Sequence, residues 1–99
     1  MNDLEIIQRA KRYYQDTIKP LLEKESPLAR LELSNLGMAF QQGAYAQISK
    51  EYHHGDLFTS SINILVKSLS EGKFDSEAVR RFEMEMSQLE LAIKAGNTY

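Results

Sequence analysis

A chain of 99 residues, 42% hydrophobic and 26% charged, suffices for one domain (residues 1–99) and is too apolar for general disorder. It has no cysteine, which excludes disulfides, thiolate metal sites and cysteine nucleophiles. Its net charge is −2, with seven Lys/Arg against six Asp/Glu in residues 1–50 and five against eight in residues 51–99. That balance lacks the basic excess of a nucleic-acid binder.

The opening "MNDLEIIQRAKRYY" is acidic early and has no unbroken apolar run, unlike a signal peptide. No stretch approaches the roughly 20 apolar residues of a membrane span. A soluble, cytoplasmic protein without membrane contact is expected.

Proline and glycine punctuate the chain, and apolar residues recur between them at helical spacing. Asn2 and Glu5 have the spacing of a capping box at the start of a first helix. Leu4, Ile7, Ala10, Tyr14, Ile18 and Leu21 form its apolar stripe. Pro20 then removes a backbone donor, so the helix either ends near Ile18 or kinks and continues to about Lys24.

Ser26 and Pro27 suit the cap and first position of a second helix. Leu28, Leu36, Phe40, Ile48 and Tyr52 share its apolar face, flanked by Leu31 and Leu33. Gly37 and Gly43 each cost a helix interior about 1 kcal/mol against alanine. Ala39, Gly43 and Ala46 make a small-residue strip, read either as a break near Gly43 or as a close helix crossing.

In "YHHGDL", Gly55 suits the residue past a helix end and Asp56 the cap of the next helix. His53 and His54 would then occupy the preceding helix's last turn, at the negative end of its dipole. The third helix runs from Leu57 to about Ser70, with Phe58, Ile62, Leu65 and Leu69 facing inward. Thr59, Ser60, Asn63, Lys67 and Ser68 make an opposite face with a single charge, unlike an ordinary solvated face. This helix is either central in the bundle or covered by another chain.

Gly72 and Asp75 mark the next junction, with Phe74 and Val79 at hydrophobic-staple spacing. The fourth helix, Ser76 to about Ala95, carries Val79, Phe82, Met86, Leu89 and Ile93 at alternating steps of three and four, the seam of bundle packing. Glu77–Arg81, Arg81–Glu85 and Glu90–Lys94 have the spacing of intrahelical ion pairs. Met84 and Leu91, with Ala95 nearby, form a second apolar stripe. Gly96 closes the helix. Four or five helices with short connections define an all-α, antiparallel helical bundle.

Two local resemblances bear on function. "YHHGDL" resembles the opening of the first helix in the TetR family of repressors, which would imply a helix-turn-helix beyond it. The glycine-containing turn of that motif is missing from "DSEAVRRFEMEMSQLELAIKA", and half the chain precedes the motif instead of a short arm. "NLGMAFQQGAY" resembles the first helix and turn of a tetratricopeptide repeat, implying an antiparallel helix pair. Its spacing from Phe40 to Gly43 is one residue short, and no second copy follows.

Little suggests chemistry. Glu51 and His54 have the Glu-x-x-His spacing of carboxylate-bridged metal sites, but such sites need two copies and inward glutamates. No nucleophile motif or phosphate-binding glycine loop is present, and Glu83, Glu85 and Glu90 read as charge-pairing residues. No enzymatic activity, cofactor, metal or small-molecule substrate is expected.

The expected function is protein–protein interaction, as an adaptor, regulator, secretion-type chaperone or immunity/antitoxin-like inhibitor that occludes a partner or a second copy. Its surface would combine Met84, Leu91 and Ala95 with Ser60, Asn63 and Lys67. The alternative is a nucleic-acid-associated regulator using "QRAKRYY", with Arg9, Lys11, Arg12 and Arg30 as its phosphate contacts.

Overall fold

The computed structural model describes residues 1–99 and contains helices and connections only. The first rod begins with Asn2, whose side-chain oxygen accepts from the Glu5 N–H at 2.8 Å. It comprises α1 (Asp3–Tyr13), a π-helical turn (Tyr14–Ile18) and α2 (Lys19–Glu23), continuous in the right-handed helical region. The π turn brings the Lys19 N–H to the Tyr14 carbonyl, an i to i−5 bond. Pro20, which has no N–H to place, follows it in the first turn of α2, so the rod continues through the proline.

The extra residue in that turn rotates everything beyond it. The buried stripe is Ile7, Ala10, Tyr14, Ile18 and Leu22, so Leu22 replaces the expected Leu21. The rod ends on Glu25 at φ 52°, with the Ser26 N–H bonded to the Leu21 carbonyl and the Glu25 N–H to that of Leu22. This is a Schellman motif built without glycine.

Ser26 Oγ accepts from the Leu28 N–H at 3.2 Å and starts α3 (Leu28–Gln42). The core face of α3 is Ala29, Leu33, Leu36, Gly37 and Phe40. Of the expected stripe Leu36, Phe40, Ile48 and Tyr52 are buried, with Leu33 beside them, whereas Leu28 and Leu31 are exposed and Ala29 takes the core position of the first turn. Gly43 ends α3 in extended backbone, which resolves the Ala39–Gly43–Ala46 strip in favour of a break. A close crossing exists, but at Gly37, where an added methyl would lie 3.1 Å from Ile62 Cγ2.

α4 (Ala46–Glu51) is a short cross-piece, and α5 (His53–Ser70) starts after one extended residue, Tyr52. This corrects the expected junction: His53, His54, Gly55 and Asp56 form the first turn of α5, not the end of the preceding helix. The histidines therefore face the positive end of a helix dipole. Gly55 keeps helical geometry, and its lack of a side chain serves close approach, since a methyl there would lie 2.5 Å from the Ile48 carbonyl oxygen. Ser49 reinforces this contact: its Oγ donates to the Phe40 carbonyl at 3.0 Å and lies 2.8 Å from Thr59 Oγ1. Thr59 is thus buried and does not belong to an outer polar face.

Gly72, at φ 78°, closes α5 in a second Schellman turn, and Asp75 caps α6 (Ser76–Ala95) by accepting from the Glu77 N–H at 2.9 Å. Phe74 and Val79 both pack against the core beside this turn. Gly96, at φ 71°, terminates α6.

α5 packs against α3, α4 and α6; α6 also packs against α1, and α3 against α2 and the π turn. Four rods thereby enclose one core in an all-α helical bundle. An aromatic series crosses it: Phe40 to Phe58 at 5.2 Å, Phe58 to Phe82 at 5.2 Å and Phe82 to Tyr14 at 4.8 Å between ring centroids. Each ring comes from a different rod, so this series ties α3, α5, α6 and the first rod together. No helix is long and apolar enough to cross a membrane.

Candidate functional site

The packing of α5 buries Phe58, Ile62, Leu65 and Leu69 and leaves Ser60, Asn63, Ile64 and Lys67 exposed. Its neighbours extend this outer surface on both sides. On α6, Met84 is 50% exposed and Leu91 58%, so neither belongs to the deeper side of the core. They lie two helical turns apart on one face, and Ala95 is exposed one turn beyond Leu91.

Met84 and Ile64, itself 51% exposed, line one groove of about 360 Å³ between α5 and α6. Asp75, Glu77, Arg80 and Arg81 surround its apolar floor. On the other side of α5, Met38 of α3 is 56% exposed and shares a groove of about 190 Å³ with Asn63 and Val66. Met38, Ile64, Met84 and Leu91 thus stand exposed on three packed helices, and of these Met84 and Ile64 share a groove. Sequence reasoning placed Met84, Leu91, Ser60, Asn63 and Lys67 on outer faces and missed Ile64 and Met38. The available signal was that Ile64 lies one turn after Ser60 and one before Lys67, within the polar face.

The charges of α6 are arranged differently from expectation. Glu85 is buried rather than paired with Arg81, and Glu90 bonds Lys11 of α1 at 3.1 Å rather than Lys94. Arg80 pairs with Glu77 at 2.7 Å. The reason is that α6 lies between α5 and the first rod, so its glutamates are drawn into contacts between helices. Glu83 likewise accepts from the Tyr14 hydroxyl at 2.6 Å and lies 3.7 Å from Lys19 Nζ. Burial, and then the Glu83 carboxylate, push the Tyr14 phenol well above its ordinary pKa. These contacts line a groove of about 300 Å³ with Leu22, Phe74 and Val79. Glu83 is thus committed to holding two rods together.

The basic cluster is divided between two flanks. Lys11 turns toward α6 and Glu90, whereas Arg9 lines a groove with Tyr13, Leu36 and Tyr45. Arg12 is exposed, and Arg30 is exposed on α3.

At the junction of α1 and α4, burial and the neighbouring Glu51 carboxylate raise the pKa of Asp3, and burial raises that of Tyr52 beside them. The His53 and His54 rings are 6.2 Å apart and tilted by 54°, and His53 packs edge-on against Tyr99. No three His, Asp or Glu side chains converge on a point where a metal ion would sit. What the molecule offers is an apolar, methionine-containing surface with charged borders.

The fold is a small all-α bundle with large apolar side chains exposed on α3, α5 and α6. Compared with protein-family models, curated proteins and solved structures, the chain matches none of them.

Proposed function

We propose that this protein is a small non-enzymatic interaction module that works by covering a surface of a protein partner or of a second copy. The supporting observation is the exposure of Met38, Ile64, Met84 and Leu91, with Met84 and Ile64 sharing one groove. Contiguous exposed apolar side chains on a small domain mark association surfaces, and methionines let such a surface adapt to its partner. Adaptors, regulators, secretion-type chaperones and immunity or antitoxin-like inhibitors all act by such occlusion.

The test combines mass in solution with affinity capture, comparing wild type and the Met84→Glu/Leu91→Glu double variant. Both substituted positions are at least half exposed, so the variant keeps its melting temperature within about 2–3 °C. It loses the captured partner or self-association. A monomer whose captured proteins are the same in both forms contradicts the proposal.

The alternative, a nucleic-acid-associated regulator, draws less support because Lys11 is engaged with Glu90. A salt-dependent mobility shift with mixed DNA or RNA at low salt would revive it.

A further inference from the structure

We infer that the outer face of α3 is a separate contact surface, and that its occupant is α3 of a second copy lying parallel to it. Of the side chains in the proposed function only Met38 takes part, so the two surfaces are tested by separate variants. Leu28, Leu31, Asn35, Met38 and Gln42 are all exposed and follow one another at alternating steps of three and four, the a/d seam of a coiled coil. Leu28 is 57% exposed, Leu31 55% and Met38 56%. At about 100° per residue the seam lies roughly opposite the core face of Ala29, Leu33, Leu36, Gly37 and Phe40. It is a second seam that no helix of the same chain covers.

The polar residue in its middle identifies the occupant. Asn35 takes an a position, where a single asparagine pairs with its own copy across the axis of a two-stranded coil and fixes the register. The flanks agree with that pairing. On one side α3 shares a groove with Arg9 and Tyr13 of α1. On the other it shares a groove with Asn63 and Val66 of α5, where Ser34 and Gln41 also stand and no lining side chain is ionised. A two-fold axis along α3 sets the first edge of one copy against the second edge of the other. Arg9, and Glu32 on the same flank, then meet amides and hydroxyls, and no like charges come together. An antiparallel pair would set the two Arg9-bearing edges against each other. Because α3 is already folded in the bundle, pairing does not have to order it. Its 15 residues span about 22 Å, or two heptads, so the interface is small and the dimer weak.

The experiment is sedimentation equilibrium of the full chain, from micromolar to millimolar concentration. Wild type is compared with Leu31→Glu, Asn35→Asp and Met84→Glu/Leu91→Glu. All these positions are exposed, and the melting temperature of each variant verifies its fold. Wild type is expected to pass from monomer to dimer as concentration rises, and Leu31→Glu to stay monomeric. Asn35→Asp sets carboxylate against carboxylate and weakens the dimer at least about tenfold at pH 7. Met84→Glu/Leu91→Glu dimerises as wild type does. The chain has no cysteine, so Leu28→Cys supplies one defined thiol, which parallel pairing oxidises in air to a disulfide-linked dimer.

Wild type that stays monomeric at millimolar concentration overturns the inference and leaves the capture of another protein by Met84 and Leu91 unaffected. A dimer that survives Leu31→Glu also overturns it; its loss in Met84→Glu/Leu91→Glu would give the second copy to that other surface. A dimer unchanged by Asn35→Asp overturns the pairing at Asn35. Leu28→Cys that stays reduced alone but crosslinks to Gln42→Cys overturns the parallel arrangement.

Discussion

The Tyr14 hydroxyl donates to the Glu83 carboxylate at 2.6 Å, joining the π turn of the first rod to the middle of α6. Tyr14 is fully buried and its ring packs on Phe82, so this bond closes the aromatic series with a polar contact. Tyr14→Phe keeps the ring and removes the bond. A hydrogen bond to a charged acceptor contributes about 1.5–3 kcal/mol, and the partial exposure of Glu83 favours the lower end. The phenol's pKa is raised in the fold, so the contribution is complete below the unfolded value of about 10 and declines as pH rises above it. Denaturant unfolding at pH 7 should show the loss, and the alkaline fall in stability should be shallower in Tyr14→Phe.

The two buried glycines predict opposite tolerances. Gly55→Ala drives a methyl into the Ile48 backbone carbonyl, which cannot move without shifting α4, and should cost about 2–3 kcal/mol. Gly37→Ala meets only the Cγ2 methyl of Ile62, at 3.1 Å and not a backbone atom, and gains helix propensity, so it should stay within about 1 kcal/mol of wild type. Thermal melts of both variants check the contrast.

Glu25 closes α2 at φ 52°, where a side chain is strained. Glu25→Gly should stabilise by about 1 kcal/mol, whereas Glu25→Ala should give no such gain. The pair separates backbone strain from loss of the carboxylate charge.

Asp3 and Glu51 are like charges at one junction, and the raised pKa of Asp3 means the fold holds its proton more tightly than the unfolded chain does. The native state is therefore penalised at neutral pH and relieved below the unfolded carboxylate range of about 4. Glu51→Gln should be slightly more stable than wild type at pH 7, and the advantage should disappear toward pH 3. Paired urea titrations at the two pH values read this directly.

Features encoded by neighbouring residues were legible in the sequence. Asn2, Asp75, Gly72 and Gly96 cap or close helices where their local chemistry indicates, and the Phe82–Met86–Leu89 seam follows from periodicity alone. What was misread depends on distant partners. The π turn adds one residue that leaves no compositional trace, yet it exchanges Leu21 for Leu22 in the core. Gly55 carries the same letter whether it ends a helix or admits a backbone carbonyl, and only the position of Ile48 decides. Glu85 and Glu90 were assigned intrahelical partners because nothing in the sequence says that α6 lies between two rods. Of the outer surface, Met84 and Leu91 stood out by their spacing. Ile64 and Met38 did not, because exposure is a property of the neighbours.

We propose that another protein binds over the exposed side chains of Met38, Ile64, Met84 and Leu91. Site-specific photocrosslinking tests it most directly, with a photoreactive residue at Met84 and a control at exposed Gln15 of the first rod. The expected result is a discrete protein adduct from Met84, absent from Gln15 and suppressed by Leu91→Glu. No adduct from Met84, or equal adducts from both positions, would contradict it.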